Sequence, residues 1–221
     1  MGNFKTKAAR VAAAFGCAVT LGLSVLAITA PAQAGTVTPG PAARSLPSDL
    51  SVHRLGGFEV IPVAGSTDTF TLVNYASGYC LGIAGGSPTV GTDAVQWNCN
   101  GNPDQQWAVR STTTVDGVVF DQLESNDNAL CLGVSGGSTT EGAKLVGWNC
   151  LGTDHQDQWW ANIDSEASGG PYCDGYEPIA NLKDAEAGKT YVIGTQGGSS
   201  AEGADLVQWN WQKTCNNQYW A

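Results

Sequence analysis

Apolar residues along this chain fall into short runs rather than long helical stripes. From residue 69 onward they read TFTLVNY, CLGIA, DAVQWNC and QQWAV, and runs of the same type return twice more before residue 221. Gly, Ser, Asn and Pro separate the runs, and no stretch holds a 3.6-residue apolar period long enough for a helix. The pattern predicts short strands joined by tight turns, about four strands to each return of the pattern.

Three segments align without a gap: CLGIAGGSPTVGTDAVQWNC from Cys80, CLGVSGGSTTEGAKLVGWNC from Cys131 and VIGTQGGSSAEGADLVQWNW from Val192. In each copy a Gly-Gly pair (from Gly85, Gly136 and Gly197) stands at one fixed distance before a tryptophan (Trp97, Trp148 and Trp209). Each copy then closes on Gln-x-Trp, as Gln105 and Trp107, Gln158 and Trp160, and Gln218 and Trp220. The copies are offset by 51 and 61 residues, and the extra length falls in SEASGGPYCDGYEP. Repetition at a fixed period outweighs any local motif as a sign of architecture. A unit this small cannot bury its own apolar face, so three of them should share one core, and closure into a barrel removes exposed sheet edges.

The N-terminal segment adds a different signal. Lys5, Lys7 and Arg10 precede an apolar stretch from Val11 to Ala30, followed by Ala32-Gln33-Ala34, which has the form of an A-x-A cleavage site. Residues 1–34 read as a signal peptide, 35–57 as a flexible Pro/Gly/Ser-rich leader, and 58–221 as the domain; within it FEVIPVAG could add an edge strand, since Pro62 cannot serve an interior one. The expectation is a secreted, extracellular protein with no membrane attachment after cleavage. The formal charge of -10 becomes about -13 without the first segment's three bases, which argues against nucleic acid or an anionic membrane as partner. Cys17 leaves with the signal. Six cysteines remain, an even number that in an exported chain reads as a disulfide framework. Cys80 with Cys99 and Cys131 with Cys150 occupy matching repeat positions, and Cys173 with Cys215 is the remainder. Zinc is the competing use of cysteine, but no close Cys-x-x-Cys occurs and His53 and His155 are the two histidines.

The threefold Gln-x-Trp, with a Cys-Leu opening and a Trp-x-Cys, resembles the ricin B-type lectin family over roughly residues 68 to 221. The resemblance implies an all-β, disulfide-stapled β-trefoil of three repeats that binds glycans or polysaccharide without catalysis, metal or cofactor. Trp107, Trp160 and Trp220 read as core, with Gln105, Gln158 and Gln218 satisfying backbone groups nearby. Trp97, Trp148 and Trp209 read as ligand platforms, because a pyranose has an apolar C–H face and a rim of hydroxyls. The polar residues just before each Gln (Asp104, Asp157 and Asn217) read as the hydroxyl partners. The family's Asp after Cys-Leu is replaced by Gly82, Gly133 and Gly194, and its Gln two before the platform by Val95, Val146 and Val207. Asp93 and Asp205 are then the nearest carboxylates in sequence to stand in for it. Their counterpart in the second copy is Lys144, expected to pair with Asp157 and make that lobe the weakest. The rival reading is a sugar-blind trefoil serving as a secreted protein-interaction or inhibitor module. An enzyme ranks third: Gly133-Val134-Ser135-Gly136-Gly137 matches the G-x-S-x-G form, but the other copies carry Ala84 and Gln196 at the Ser135 position and no histidine supports it.

Overall fold

The computed structural model describes Leu55–Gly56 and residues 69–221; the signal segment, most of the leader and the run FEVIPVAG lie outside the described residues. The short apolar runs form β1 (Leu55–Gly56), β2 (Thr69–Phe70), β3 (Cys80–Ile83), β4 (Thr92–Trp97), β5 (Trp107–Val115) and β6 (Val118–Ser125). They continue as β7 (Leu130–Val134), β8 (Leu145–Asn149), β9 (Trp160–Ile163), β10 (Ile179–Asn181), β11 (Tyr191–Thr195) and β12 (Leu206–Asn210). Among the described residues the strands pair antiparallel, as consecutive short strands joined by tight turns allow. The fold is a β-trefoil.

The three aligned segments become three matching hairpins, β3–β4, β7–β8 and β11–β12. Their registers are the same residue for residue: Cys80 faces Trp97, Cys131 faces Trp148 and Val192 faces Trp209. The hairpins then meet in a cycle, with Asp93 paired to Val146, Lys144 to Val207 and Asp205 to Val95. That cycle defines a pseudo-threefold axis, and repeat positions 93, 144 and 205 stand around it. Cys80–Cys99, Cys131–Cys150 and Cys173–Cys215 are bonded, with Cα separations of 5.1, 5.0 and 5.6 Å. The first two tie the start of a hairpin to the loop after its tryptophan, and the third ties the lengthened segment before β10 to the C-terminal loop.

The shared core gathers equivalent residues from all three lobes: Leu81, Leu132 and Ile193, with Trp107, Trp160 and Trp220. These three indoles are 0 to 2 % exposed. Each donates its Nε1–H to a backbone carbonyl of the matching hairpin, Leu81, Leu132 or Ile193, at 3.0, 2.9 and 3.1 Å. A fully buried indole removes ~150–250 Å² from water, and the bond ensures that its one donor is not left unpaired.

Two features depart from the sequence reading. Leu55–Gly56, at the end of the presumed flexible leader, pairs with Ile163 and Asn162 of β9, where the strand edge offers unpaired backbone groups. The third lobe also contains a helix, α1 (Leu182–Glu186), whose N-cap Asn181 accepts from the Lys183 backbone N–H at 3.0 Å. Five residues are too few to leave an apolar stripe in the sequence.

Candidate functional site

Strand alternation sets the first component of each site. Gln96 and Gln208 point inward and are fully buried, so the next residues, Trp97 and Trp209, point outward. The buried amides anchor their strands to the neighbouring lobe: Gln96 Nε2 donates to the Ser199 and Ala201 carbonyls, and Gln208 Nε2 to those of Ser138 and Thr140. In the second lobe the equivalent residue is Gly147, where a Cβ would lie 3.0 Å from Ile83 Cδ1, so close packing replaces the amide. The outward indoles of Trp97, Trp148 and Trp209 are 45, 43 and 41 % exposed.

A glycine of the neighbouring lobe limits how each ring can lie. A Cβ placed on Gly203, Gly91 or Gly142 would approach Cζ3 of Trp97, Trp148 or Trp209 to 3.1, 3.3 or 3.2 Å, and all three glycines have φ between +80 and +90°. Backbone conformation and ring contact both disfavour a side chain there. Each platform is thus supported by a different lobe from the one that carries it.

The second component comes from the turn before each Gln-x-Trp. Gln105 Nε2 donates to the Asn98 carbonyl while its Oε1 accepts from the Asn100 N–H. Gln158 makes the same pair with Asn149 and Leu151, and Gln218 with Asn210 and Gln212. In every lobe the buried amide therefore clamps the loop that follows the platform tryptophan. The residue before it, Asp104, Asp157 or Asn217, faces a cavity whose other wall is the indole and whose floor is the Gly-Gly turn. The cavities measure about 470, 250 and 200 Å³ in lobes one to three.

The glycines at the position where the ricin B-type pattern would place Asp have a local explanation. A Cβ on Gly82 would stand 3.0 Å from Gln105 Cγ and 3.3 Å from Asp104 Oδ2; Gly133 is similarly covered by Gln158 and Asp157, and Gly194 by Gln218 and Asn217. The polar group reaches the floor from the turn before Gln-x-Trp rather than from the strand. Burial pushes the Asp104 carboxyl above its usual range; a local backbone hydrogen bond opposes this, and the nearby Asp127 charge adds to it.

Asp93 and Asp205 do not belong to these cavities. Lys144 Nζ lies 2.7 Å from Asp93 Oδ2 and 2.9 Å from Asp205 Oδ2, because all three stand around the pseudo-threefold axis. The two carboxylates hold the Lys144 ammonium, whose pKa is pushed up to about 12 by those hydrogen bonds. The expected Lys144–Asp157 pairing is replaced by this one, and the reason for ranking the second lobe lowest goes with it.

Two charged cavity residues escaped the sequence reading. Asp127, from the turn between β6 and β7, lines the first cavity, and Lys183 of α1 lines the second beside His155. Both lie outside the aligned cores, so the repeat carried no signal for them. Among the described residues, the cluster of possible metal ligands is Glu124 with Cys131 and Cys150, and that cysteine pair is already a disulfide. An exposed indole face beside a carboxylate or amide suits a ligand with one flat apolar face and a hydrogen-bonding rim.

Residues 58–148 match the family model described as ricin-type beta-trefoil lectin domain-like. No curated protein matches the chain. Among solved structures, a designed 3-fold symmetric protein, ThreeFoil, is 23 % identical with a TM-score of 0.56, over 69 % of this chain and 95 % of its own. The Rhizoctonia solani agglutinin is 16 % identical with a TM-score of 0.52, over 72 % of this chain and 96 % of its own. An exo-beta-1,3-galactanase from Clostridium thermocellum is 23 % identical with a TM-score of 0.58; the match covers 72 % of this chain but 30 % of the galactanase. At these identities the likenesses concern the fold.

Proposed function

From the premise that this chain carries a ricin-type β-trefoil lectin-like domain, we propose that it is a secreted, noncatalytic carbohydrate-binding protein with one ligand site in each lobe. The family supports carbohydrate binding as the general activity. The observation that carries the particular mode is the repeated cavity: three exposed indole faces, each opposite a polar side chain fixed by a buried Gln. Each indole stacks on the C–H face of a pyranose, and Asp104, Asp157 or Asn217 takes ring hydroxyls. The shallow sites leave much of the ligand in water, so a single sugar binds at about the millimolar level, near -4 kcal/mol. Strength comes from several lobes engaging one polymer. The N-terminal signal pattern and the disulfide framework support an extracellular location.

A glycan array with the full secreted chain identifies the ligand class, followed by calorimetric titration of Trp97→Ala, Trp148→Ala and Trp209→Ala singly and together. Each single substitution should weaken polysaccharide binding by about three- to tenfold through lost multivalency, and the triple variant should abolish it. Undiminished binding by a correctly folded triple variant would remove these platforms from the site and favour the protein-interaction trefoil.

A further inference from the structure

The three cavities share one plan but differ in charge, and the difference arises beside the second glycine of the Gly-Gly turn. At Gly137 in the second lobe, a Cβ would lie 2.6 Å from Lys183 Nζ and 3.4 Å from Asp157 Oδ1: an ammonium and a carboxylate of the protein both border this turn. At the matching Gly86 of the first lobe, the nearest atom is Asp127 Oδ2 at 2.9 Å, followed by Asp104 Cβ at 3.6 Å. At Gly198 of the third, the nearest is Asn217 Oδ1 at 3.8 Å. Among the described residues, the first cavity is thus lined by two carboxylates and no basic side chain, the second by a carboxylate and an ammonium, and the third by an amide.

Two like charges at the wall of one cavity repel each other, and a cation placed between them relieves the repulsion. Of the described bases, Arg110 is engaged by Glu124 and Lys144 by Asp93 and Asp205, and none of them lines this cavity. Resting on the lectin reading above, we infer that the first lobe selects sugars bearing a free primary ammonium, that is, amino sugars that are not N-acetylated. The ligand's ammonium takes the place in the first lobe that Lys183 fills in the second. Its ring lies against Trp97, where the indole face attracts the cation as well as the C–H groups. Asp127 is then the specificity-determining residue, and the roomier first cavity, about 470 against 250 Å³, leaves space for the group that the second lobe supplies from the chain itself. A bound metal ion would meet the same charge, but among the described residues these two carboxylates are not part of a three-ligand cluster.

Calorimetric titration of the full chain with matched oligomers of 2-amino-2-deoxyglucose and of its N-acetylated form tests this. It is run at about pH 6, in chelator and in added calcium, at about 50 and 500 mM salt. The free-amine oligomer should bind about fivefold tighter than the acetylated one at low salt, through a partly exposed ion pair, and this margin should shrink at high salt. Asp127→Asn should bring the two affinities together, and Asp127→Lys, which copies the second lobe, should invert the order. Equal binding of both oligomers by the wild type, a preference untouched by Asp127→Asn, or a preference that appears only with calcium overturns the inference while leaving the lectin reading standing. Failure of the wild type to bind any glycan, on the array or in solution, overturns both.

Discussion

The two sets of three tryptophans differ in one respect that governs everything else about them. Trp107, Trp160 and Trp220 are 0 to 2 % exposed and give their Nε1–H to a carbonyl of the matching hairpin. Trp97, Trp148 and Trp209 keep two-fifths or more of their surface in contact with water, on strands whose neighbouring amides and glycines hold them in place. The same side chain stabilises the domain in the first setting and is available to a ligand in the second. Burial together with a satisfied donor yields stability, whereas exposure on a fixed strand yields a binding surface.

The largest effect that can break this comparison is on stability. Trp107→Ala should destabilise by about 3–5 kcal/mol, since it leaves a cavity at the centre of the shared core, while Trp97→Ala should change stability by less than about 1 kcal/mol. Urea denaturation of both variants measures this. Comparable losses would mean that the platforms serve the fold as much as the core set does.

Asp184 tests the same contrast from the other side, as a carboxyl group that is buried without a hydrogen bond. It is fully buried on α1, between residues that belong to an apolar cluster (Leu182 and Ala185), and neither carboxylate oxygen has a hydrogen bond. Burial raises its pKa from 3.8 to about 7, against the pull of Lys189 and Lys183. The folded chain therefore keeps this proton where the unfolded chain has released it. The resulting stabilisation is complete below about pH 4 and is lost as the pH rises to about 7. Asp184→Asn should remove this component of the pH dependence and leave the variant about 1–3 kcal/mol more stable than the wild type at pH 8. Denaturation curves at several pH values check it; an unchanged slope in the variant would show that the carboxylate is hydrated or paired in solution.

The smallest effect concerns a polar contact that is exposed. Lys144 is 42 % exposed between Asp93 and Asp205. Lys144→Met should cost under about 1 kcal/mol, more at low salt than at high, because solvent and ions screen such pairs. Thermal melts at two ionic strengths decide it. A loss as large as that of a core tryptophan would make the axial ion network, and not the apolar core, the main tie between lobes.

Much of this was legible in the sequence because the repeat fixes it three times over. A threefold spacing of Gly-Gly, Trp and Gln-x-Trp has few structural solutions, and the matched positions of Cys80 and Cys131, and of Cys99 and Cys150, assign two disulfides by themselves. The alternation between Gln96 and Trp97 tells which side chain turns outward. Contacts between lobes are another matter. Asp93 looked available for a ligand because it lies near Trp97 in the chain; the cyclic closure of the hairpins carries it to the axis, next to a lysine 51 residues away. Asp127 lies 30 residues beyond Trp97 and outside the aligned cores, yet a turn of the chain brings it to the same cavity.

The sequence alone thus determined the lobe: its strands, its turns, its bonded cysteines and the division of its tryptophans, all of which depend on local periodicity and on what one repeat must bury. Only the tertiary structure decided the chemistry of each cavity. Part of the lining comes from segments that do not repeat, Asp127 in one turn and Lys183 on one short helix, and the platforms are set by the backbone of a neighbouring lobe. Charge acts through space rather than along the chain, so three nearly identical segments acquire three different electrostatic settings once they close around a common axis.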